Sequence, residues 1–116
     1  MMFGLVQEAK SWDEFQAAMK SGGSFAIILV VPGDPTNNIG VLDGYCKDEF
    51  PQFKCYYGVE DAHEHNPSSF NVHFNNPYDG AISFYKDGVQ KSWVSPKGVG
   101  KSTTVEQIRA GFNKAK

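Results

Sequence analysis

An uninterrupted apolar segment, residues 25–31, is the strongest hydrophobic signal in the chain and is rich in β-branched residues. A strand with this composition is covered on both faces, so we expect it at the centre of a sheet with helices above and below it. Polar and apolar positions alternate over residues 53–59, which predicts a second, half-buried strand. A short apolar run around residues 5–7 predicts an edge strand.

A β-hairpin is predicted in the last third of the chain. Two segments, residues 81–86 and 89–94, flank Asp87 and Gly88. This pair tolerates the positive φ angles of a two-residue type I′ turn, so the two segments should pair as antiparallel strands.

Helices are predicted between and after these strands. Ser11 and Glu14 have the spacing of a capping box, and Thr103 and Glu106 have the same spacing before the C-terminal segment. Apolar residues follow each box at helical spacing: Trp12, Phe15 and Met19, then Val105, Ile108 and Phe112. Two further helices are predicted, one starting near Thr36 or Asn37 and reaching about Phe50, and a short one opened by Asn66 and Pro67.

The predicted order is therefore β-α-β-α-β, a short helix, a hairpin and a last helix. Strands joined by helical crossovers are parallel, and the hairpin adds antiparallel strands. At 116 residues the chain fits one domain. We predict a single α/β domain over residues 1–116, a three-layer sandwich with a mixed central sheet and helices on both faces.

This order resembles the thioredoxin fold, and short stretches are similar to that family along nearly the whole chain. Trp12-Asp13-Glu14-Phe15 is similar to its first helix, and residues 25–31 are similar to the central strand before its active-site loop. Residues 84–88 are similar to the hairpin turn after its cis-proline strand, and residues 94–112 to its last strand end, glycine-rich turn and closing helix.

The departures from the family concern its chemistry. Redox-active relatives carry Trp-Cys-x-x-Cys after the central strand, where the helix N-terminus lowers the pKa of the first cysteine. Residues 32–38 contain no sulfur here, and residues 26–31 lack the buried acid of the family. The family's cis-proline would stand near Gly80, and the nearest proline is Pro77. The chain thus resembles a member that lacks the Cys-x-x-Cys active site.

The two cysteines, Cys46 and Cys55, are nine positions apart. They are predicted late in a helix and early in a strand, and a helix packs about 10 Å from a sheet. A disulfide needs Cα atoms roughly 4.4–6.8 Å apart. We therefore favour two small buried hydrophobes, with a displaced dithiol or a reactive thiol as the alternative.

Two further motifs imitate known sites. Residues 97–104 resemble a phosphate-binding loop, but Ser95 stands where that pattern needs glycine and only one helix follows. A glycine-rich turn before a helix is the favoured interpretation. His63-Glu64-His65 lies in a polar segment without a third ligand at a recognised spacing, so no metal site is predicted.

Composition narrows the remaining classes. The net charge is −2 and the eleven Lys and Arg look scattered, so no nucleic-acid partner is expected. The apolar start is too short for a signal peptide, and no segment is long enough to span a membrane. With two unpaired cysteines this predicts a cytoplasmic protein with no membrane partner, and no cofactor is predicted.

One end of the predicted sheet is a candidate binding groove, because ligands bind in the crevice beyond the carboxyl ends of the strands. Two loops should meet there; their residues are Asp34, Pro35, Thr36, Asn37 and Asn38 from one and Asn75, Asn76, Pro77 and Tyr78 from the other. Two ordinary surface loops are an equal alternative.

The sequence thus favours a redox-inactive thioredoxin-like module that binds or scaffolds another protein, and it leans against an enzyme. The alternative is an enzyme of the same superfamily: a monothiol, thiol-dependent oxidoreductase that uses Cys46 or Cys55, or a glutathione-binding transferase that uses the two loops of the candidate groove. The partner's identity and the oligomeric state stay open.

Overall fold

A computed structural model describes residues 5–33, 37–61, 66–98 and 101–116. Its strands are β1 (Val6–Glu8), β2 (Ser24–Val30), β3 (Lys54–Val59), β4 (Ile82–Lys86) and β5 (Val89–Val94). Its helices are α1 (Trp12–Met19), α2 (Asn37–Asp48) and α3 (Val105–Lys114), with one 3-10 turn at Asn71–His73.

The five strands form one mixed sheet in the order β1-β3-β2-β4-β5. β1 and β2 both pair with β3 in parallel, and β4 pairs with β2 and β5 antiparallel. Every residue of β2 is buried. The predictions of a central strand, of a parallel first half and of an added hairpin are therefore confirmed.

Two hydrophobic cores lie on opposite faces of the sheet because alternate residues of β2 point to opposite sides. One core joins Ala26, Ile28 and Val30 to α2 and α3. The other joins Phe25, Ile27 and Leu29 to α1 and to the segment around the 3-10 turn. The sheet with its two covered faces is the predicted three-layer α/β sandwich.

The hairpin turn has the predicted conformation. Asp87 and Gly88 have φ angles of 50° and 81°, as a type I′ turn requires. Further along the hairpin the pairing slips, since Tyr85 faces Gln90 whereas Phe84 faces Ser92. Lys91 therefore has no opposite residue on β4, which makes it the extra residue of a β-bulge.

The helix starts differ in detail from the predicted capping boxes. Ser11 Oγ accepts from the Glu14 amide as predicted, but the Glu14 carboxylate accepts from the amide of Lys10. At α3 the reciprocal box joins Thr104 and Gln107, one position later than predicted.

One residue of the apolar stripe predicted for this helix is exposed. Val105 is the first helical residue and is exposed, while Ile108 and Phe112 are buried as predicted. The predicted helix after Asn66 is reduced to turns and the 3-10 turn, with Asn66 Oδ1 accepting from the Ser68 amide.

Two positions require glycine because an aromatic ring packs directly against the backbone. A Cβ at Gly111 of α3 would lie 2.2 Å from Cε2 of Phe84, and a Cβ at Gly58 would lie 2.5 Å from Cδ1 of Phe70. No side chain fits at either position without displacing an aromatic ring.

On the α1 side of the sheet, burial raises the pKa of Tyr85, against a smaller opposing effect of its hydrogen bond with Ser83.

Candidate functional site

Cys46 and Cys55 form a disulfide, with an Sγ–Sγ distance of 2.02 Å and a Cα–Cα distance of 6.6 Å. Both residues are buried, so the burial was predicted correctly and the absence of a bond was wrong. The packing distance used for the prediction runs from the helix axis to the sheet, whereas the Cα atoms on the side of the helix that faces the sheet lie about 2.3 Å closer to the sheet. Small residues at the contact allow the remaining approach.

This disulfide lies at the amino end of the parallel strands. Cys55 pairs in register with Ala26, four residues before the end of β2 at Val30, which is about 13 Å along a strand. Cys46 is nine residues after the start of α2, again about 13 Å along a helix. The two sulfurs are thus far from the crevice at the carboxyl end of β2.

The crevice itself forms where β2 ends. The Val31 amide donates to Asp79 Oδ1 at 3.1 Å, and the Gly80 amide donates to the carbonyl of Leu29 at 2.7 Å. Gly80 has a φ of +93°, and a Cβ there would lie 3.3 Å from Asn38 Oδ1. The start of α2 therefore meets the segment directly before β4.

The facing of the two predicted loops stays a prediction. Asn38 lies beside Gly80, whereas Asp34, Pro35 and Thr36 fall outside the described residues, as does the side chain of Asn37.

The second loop of the groove is held to β5. Asn75 Oδ1 accepts from Gln90 Nε2 at 3.0 Å, and the Asn76 carbonyl accepts from Ser95 Oγ at 2.6 Å. All four loop residues are exposed, and Tyr78 presents 39% of its surface. The described peptide bonds include no cis bond, so Pro77 follows a trans bond. Tyr78 is the aromatic surface that this loop offers to a ligand.

A second, shallow cavity of about 260 Å³ lies beside the disulfide. Leu5, Gln7, Lys54 and Cys55 line it. The Lys54 ammonium donates to Ser21 Oγ at 3.2 Å and lies 5.4 Å from the centre of the Phe25 ring. The Lys54 ammonium is therefore directed toward Ser21 and the Phe25 ring rather than toward the Cys55 sulfur.

The remaining sequence motifs lie partly outside the described residues. His63, Glu64 and His65 lie outside the described residues, and the described ones include no group of three metal-ligating side chains. In the segment that imitates a phosphate loop, the Lys101 amide donates to the Gly98 carbonyl at 3.1 Å. No described helix is both long and apolar enough to cross a membrane.

The disulfide is the feature that the sequence reasoning missed. The signal that points to it is the burial of both residues on one face, since Cys46 and Cys55 belong to the same core. The prediction of a reducing compartment assumed unpaired cysteines, and the bond removes that support.

Comparisons with known proteins bear on the fold. No protein-family model matches the chain, and no curated protein matches it significantly. Several solved structures are similar to it over almost their whole length. A thioredoxin of Malassezia sympodialis, Mala s 13, is 17% identical with a TM-score of 0.65, covering 99% of this chain and 96% of that one.

Thioredoxin O2 of Arabidopsis thaliana in the oxidized state is 17% identical with a TM-score of 0.64, covering 99% of this chain and 98% of that one. Trxlp of Edwardsiella tarda is 11% identical with a TM-score of 0.57, covering 95% and 99%. Together with the strand order and the two covered faces, these likenesses show that the chain has the thioredoxin fold.

Proposed function

We propose that this chain is a thioredoxin-fold module that binds another protein and performs no dithiol chemistry at the crevice. One observation carries the proposal: the chain's two cysteines are bonded to each other and buried, about 13 Å from the crevice by the strand spacing. Thiol–disulfide exchange begins with an accessible thiolate attacking a disulfide sulfur. A paired, buried sulfur at the other end of the sheet does not supply one.

The crevice offers binding groups instead of a nucleophile. Tyr78 presents an exposed aromatic ring, and tyrosine is enriched at protein interfaces because it combines apolar area with a hydroxyl group. Asn38 stands beside Gly80, where a Cβ would lie 3.3 Å from the Asn38 Oδ1 atom. These features favour an extended segment of a protein partner.

Insulin-disulfide reduction with a dithiol donor tests the absence of redox activity. We expect the turnover with the protein to equal that of the donor alone, and the double variant Cys46→Ala/Cys55→Ala to behave in the same way. Turnover that depends on either cysteine would overturn the proposal.

Photo-crosslinking tests the binding role. A photoreactive phenylalanine at position 78 should capture a protein partner, whereas the same group at the exposed position of Lys47 on α2 should not. Equal capture at both positions would mean that the crevice is not the binding surface.

A thiol-dependent oxidoreductase, with or without a bound glutathione, is the second candidate, and the cavity beside Cys55 is the observation that favours it. An external dithiol would reduce the disulfide to two thiols and itself become a disulfide. pH-dependent alkylation of the reduced protein tests this candidate. A thiol pKa well below that of free cysteine would support it, and thiols that react only after unfolding would eliminate it.

The disulfide also changes the proposed location. Protein disulfides persist chiefly in oxidising compartments, so we propose that the chain works in one, in place of the cytoplasm. Trapping thiols with an alkylating agent in intact cells would show whether Cys46 and Cys55 are paired there; free thiols would restore the cytoplasmic prediction.

A further inference from the structure

The open edge of β5 carries a second surface, of which Gln90 also holds the crevice loop through Asn75. β5 is the last strand of the sheet, so its outer backbone groups have no neighbouring strand among the described residues. A shallow groove of about 370 Å³ follows this edge, and its lining consists of Gln90, Lys91, Ser92 and Trp93 of the strand together with Lys114 of α3. The groove lining contains two cations and no carboxylate.

The charges of the chain are divided unevenly along the sequence. Residues 80–116 contain seven Lys and Arg against two acids, a net charge of +5, whereas residues 1–79 contain four against eleven, a net charge of −7. The basic residues are therefore concentrated in the last third of the sequence and are not distributed evenly along it. The ion pair in the described part of the chain uses Arg109 and Glu49, which leaves Lys91 and Lys114 without a carboxylate partner there.

The same edge exposes large apolar side chains. Trp93 presents 43% of its surface and Val89 presents 56%. Tryptophan is the residue type most enriched among interface hot spots. An exposed indole in the same groove lining as two lysines indicates a partner that offers both apolar contact and negative charge.

The bulge at Lys91 limits which strands can pair with this edge. A lysine at a bulge protects an edge strand from pairing with neutral or basic strands. A second copy paired antiparallel through β5 would bring like charges together, which is destabilising. An acidic strand would instead neutralise Lys91 while using the same free backbone groups.

We propose that the β5 edge binds an acidic, extended peptide segment by strand addition, with Trp93 as the apolar anchor and Lys91 and Lys114 pairing with its carboxylates. This surface goes beyond the proposed function of the crevice. Variants at Trp93 test the edge and variants at Tyr78 test the crevice, so the failure of one proposal is distinguishable from the failure of the other.

Titration of the labelled full-length chain by two-dimensional NMR tests the proposal. The probe is a capped seven-residue peptide of alternating valine and glutamate. We expect the amide signals of β5 and the indole signal of Trp93 to shift, while the indole of the buried Trp12 serves as an internal reference. Raising the salt concentration should weaken the binding.

Matched variants separate the edge from general electrostatics. Lys91→Glu should weaken binding at least about fivefold, because it replaces an attraction by a repulsion. Lys47→Glu makes the same charge change on the exposed surface of α2 and should weaken it less than about twofold. Trp93→Ala should weaken binding about tenfold or more, and its exposure allows the fold to be kept. Equal effects of the two lysine variants would overturn the proposal.

Three control ligands test the kind of occupant. The same peptide N-methylated at alternate residues keeps its charge but loses backbone donors, and it should not bind. If it binds equally well, or if a single-stranded thymidine oligonucleotide binds more tightly than the peptide, strand addition is wrong. Salt-sensitive self-association of the chain through Trp93, or no shift with any ligand, also overturns the proposal.

Discussion

Removal of the Cys46–Cys55 disulfide should destabilise the fold by an amount that follows from its loop length. The cysteines are separated by nine positions, and a crosslink that closes a loop of this size lowers the entropy of the unfolded chain by an amount worth about 2.6 kcal/mol at 25 °C. With an unfolding entropy of about 2.1 cal/mol/K per residue over 116 residues, this corresponds to about 10 °C in Tm.

Thermal unfolding followed by far-UV circular dichroism measures this difference. The double variant Cys46→Ala/Cys55→Ala removes the bond without leaving a buried polar group, since alanine is apolar. Its Tm should lie about 10 °C below that of the oxidised protein. A phosphine reductant should lower the Tm of the wild type to a similar value and leave that of the double variant unchanged.

Two results would refute this reasoning. A thiol-reactive chromogenic reagent that finds two free thiols in the native protein would show that the bond is not formed. A reductant that leaves the Tm of the oxidised protein unchanged would show that the crosslink does not constrain the unfolded chain.

Three further predictions concern packing, capping and alkaline stability. Gly111→Ala should lower the free energy of unfolding by about 2 kcal/mol, because the added methyl group overpacks a core contact. Gly44→Ala, on the open surface of α2, should raise it by up to about 1 kcal/mol. Denaturant titration measures both changes. Thr104→Ala should cost about 1 kcal/mol through the lost cap, and an equal loss in Thr103→Ala would contradict this cap position. Burial raises the pKa of Tyr85. The contribution of neutral Tyr85 to the free energy of unfolding should therefore be fully present below the unfolded pKa of about 10 and be lost as the pH rises through the higher folded pKa. In urea titrations at increasing pH, the stability of Tyr85→Phe should decline less steeply.

The features that the sequence predicts well are those with a local cause. Full burial of β2 follows from its uninterrupted apolar composition, because no exposed face requires polar residues. The hairpin follows from Asp87 and Gly88, whose φ angles are both positive. In each case the residues of one short segment determine the outcome.

The features that the sequence does not predict depend on distant partners. Thr103 and Thr104 are equally good caps, and the packing of Ile108 and Phe112 against the sheet decides between them. The loop that carries Asn75 is held by Gln90, fifteen residues further along the chain. No periodicity in either segment records these contacts, so the shape of the crevice could be predicted only in outline.

The disulfide bears on the function proposed for this chain more than on its fold. Asp43 Oδ1 accepts from the amides of Leu5 and Val6, so α2 is tied to β1 by hydrogen bonds and to β3 by the sulfur bond near its other end. Both ties lie toward the amino ends of the strands, away from Asn38 and Gly80. Covalent chemistry thus holds α2 near one end while Asn38 at its other end lies beside Gly80, and this division is why we propose that the cysteines serve stability and that the crevice serves binding.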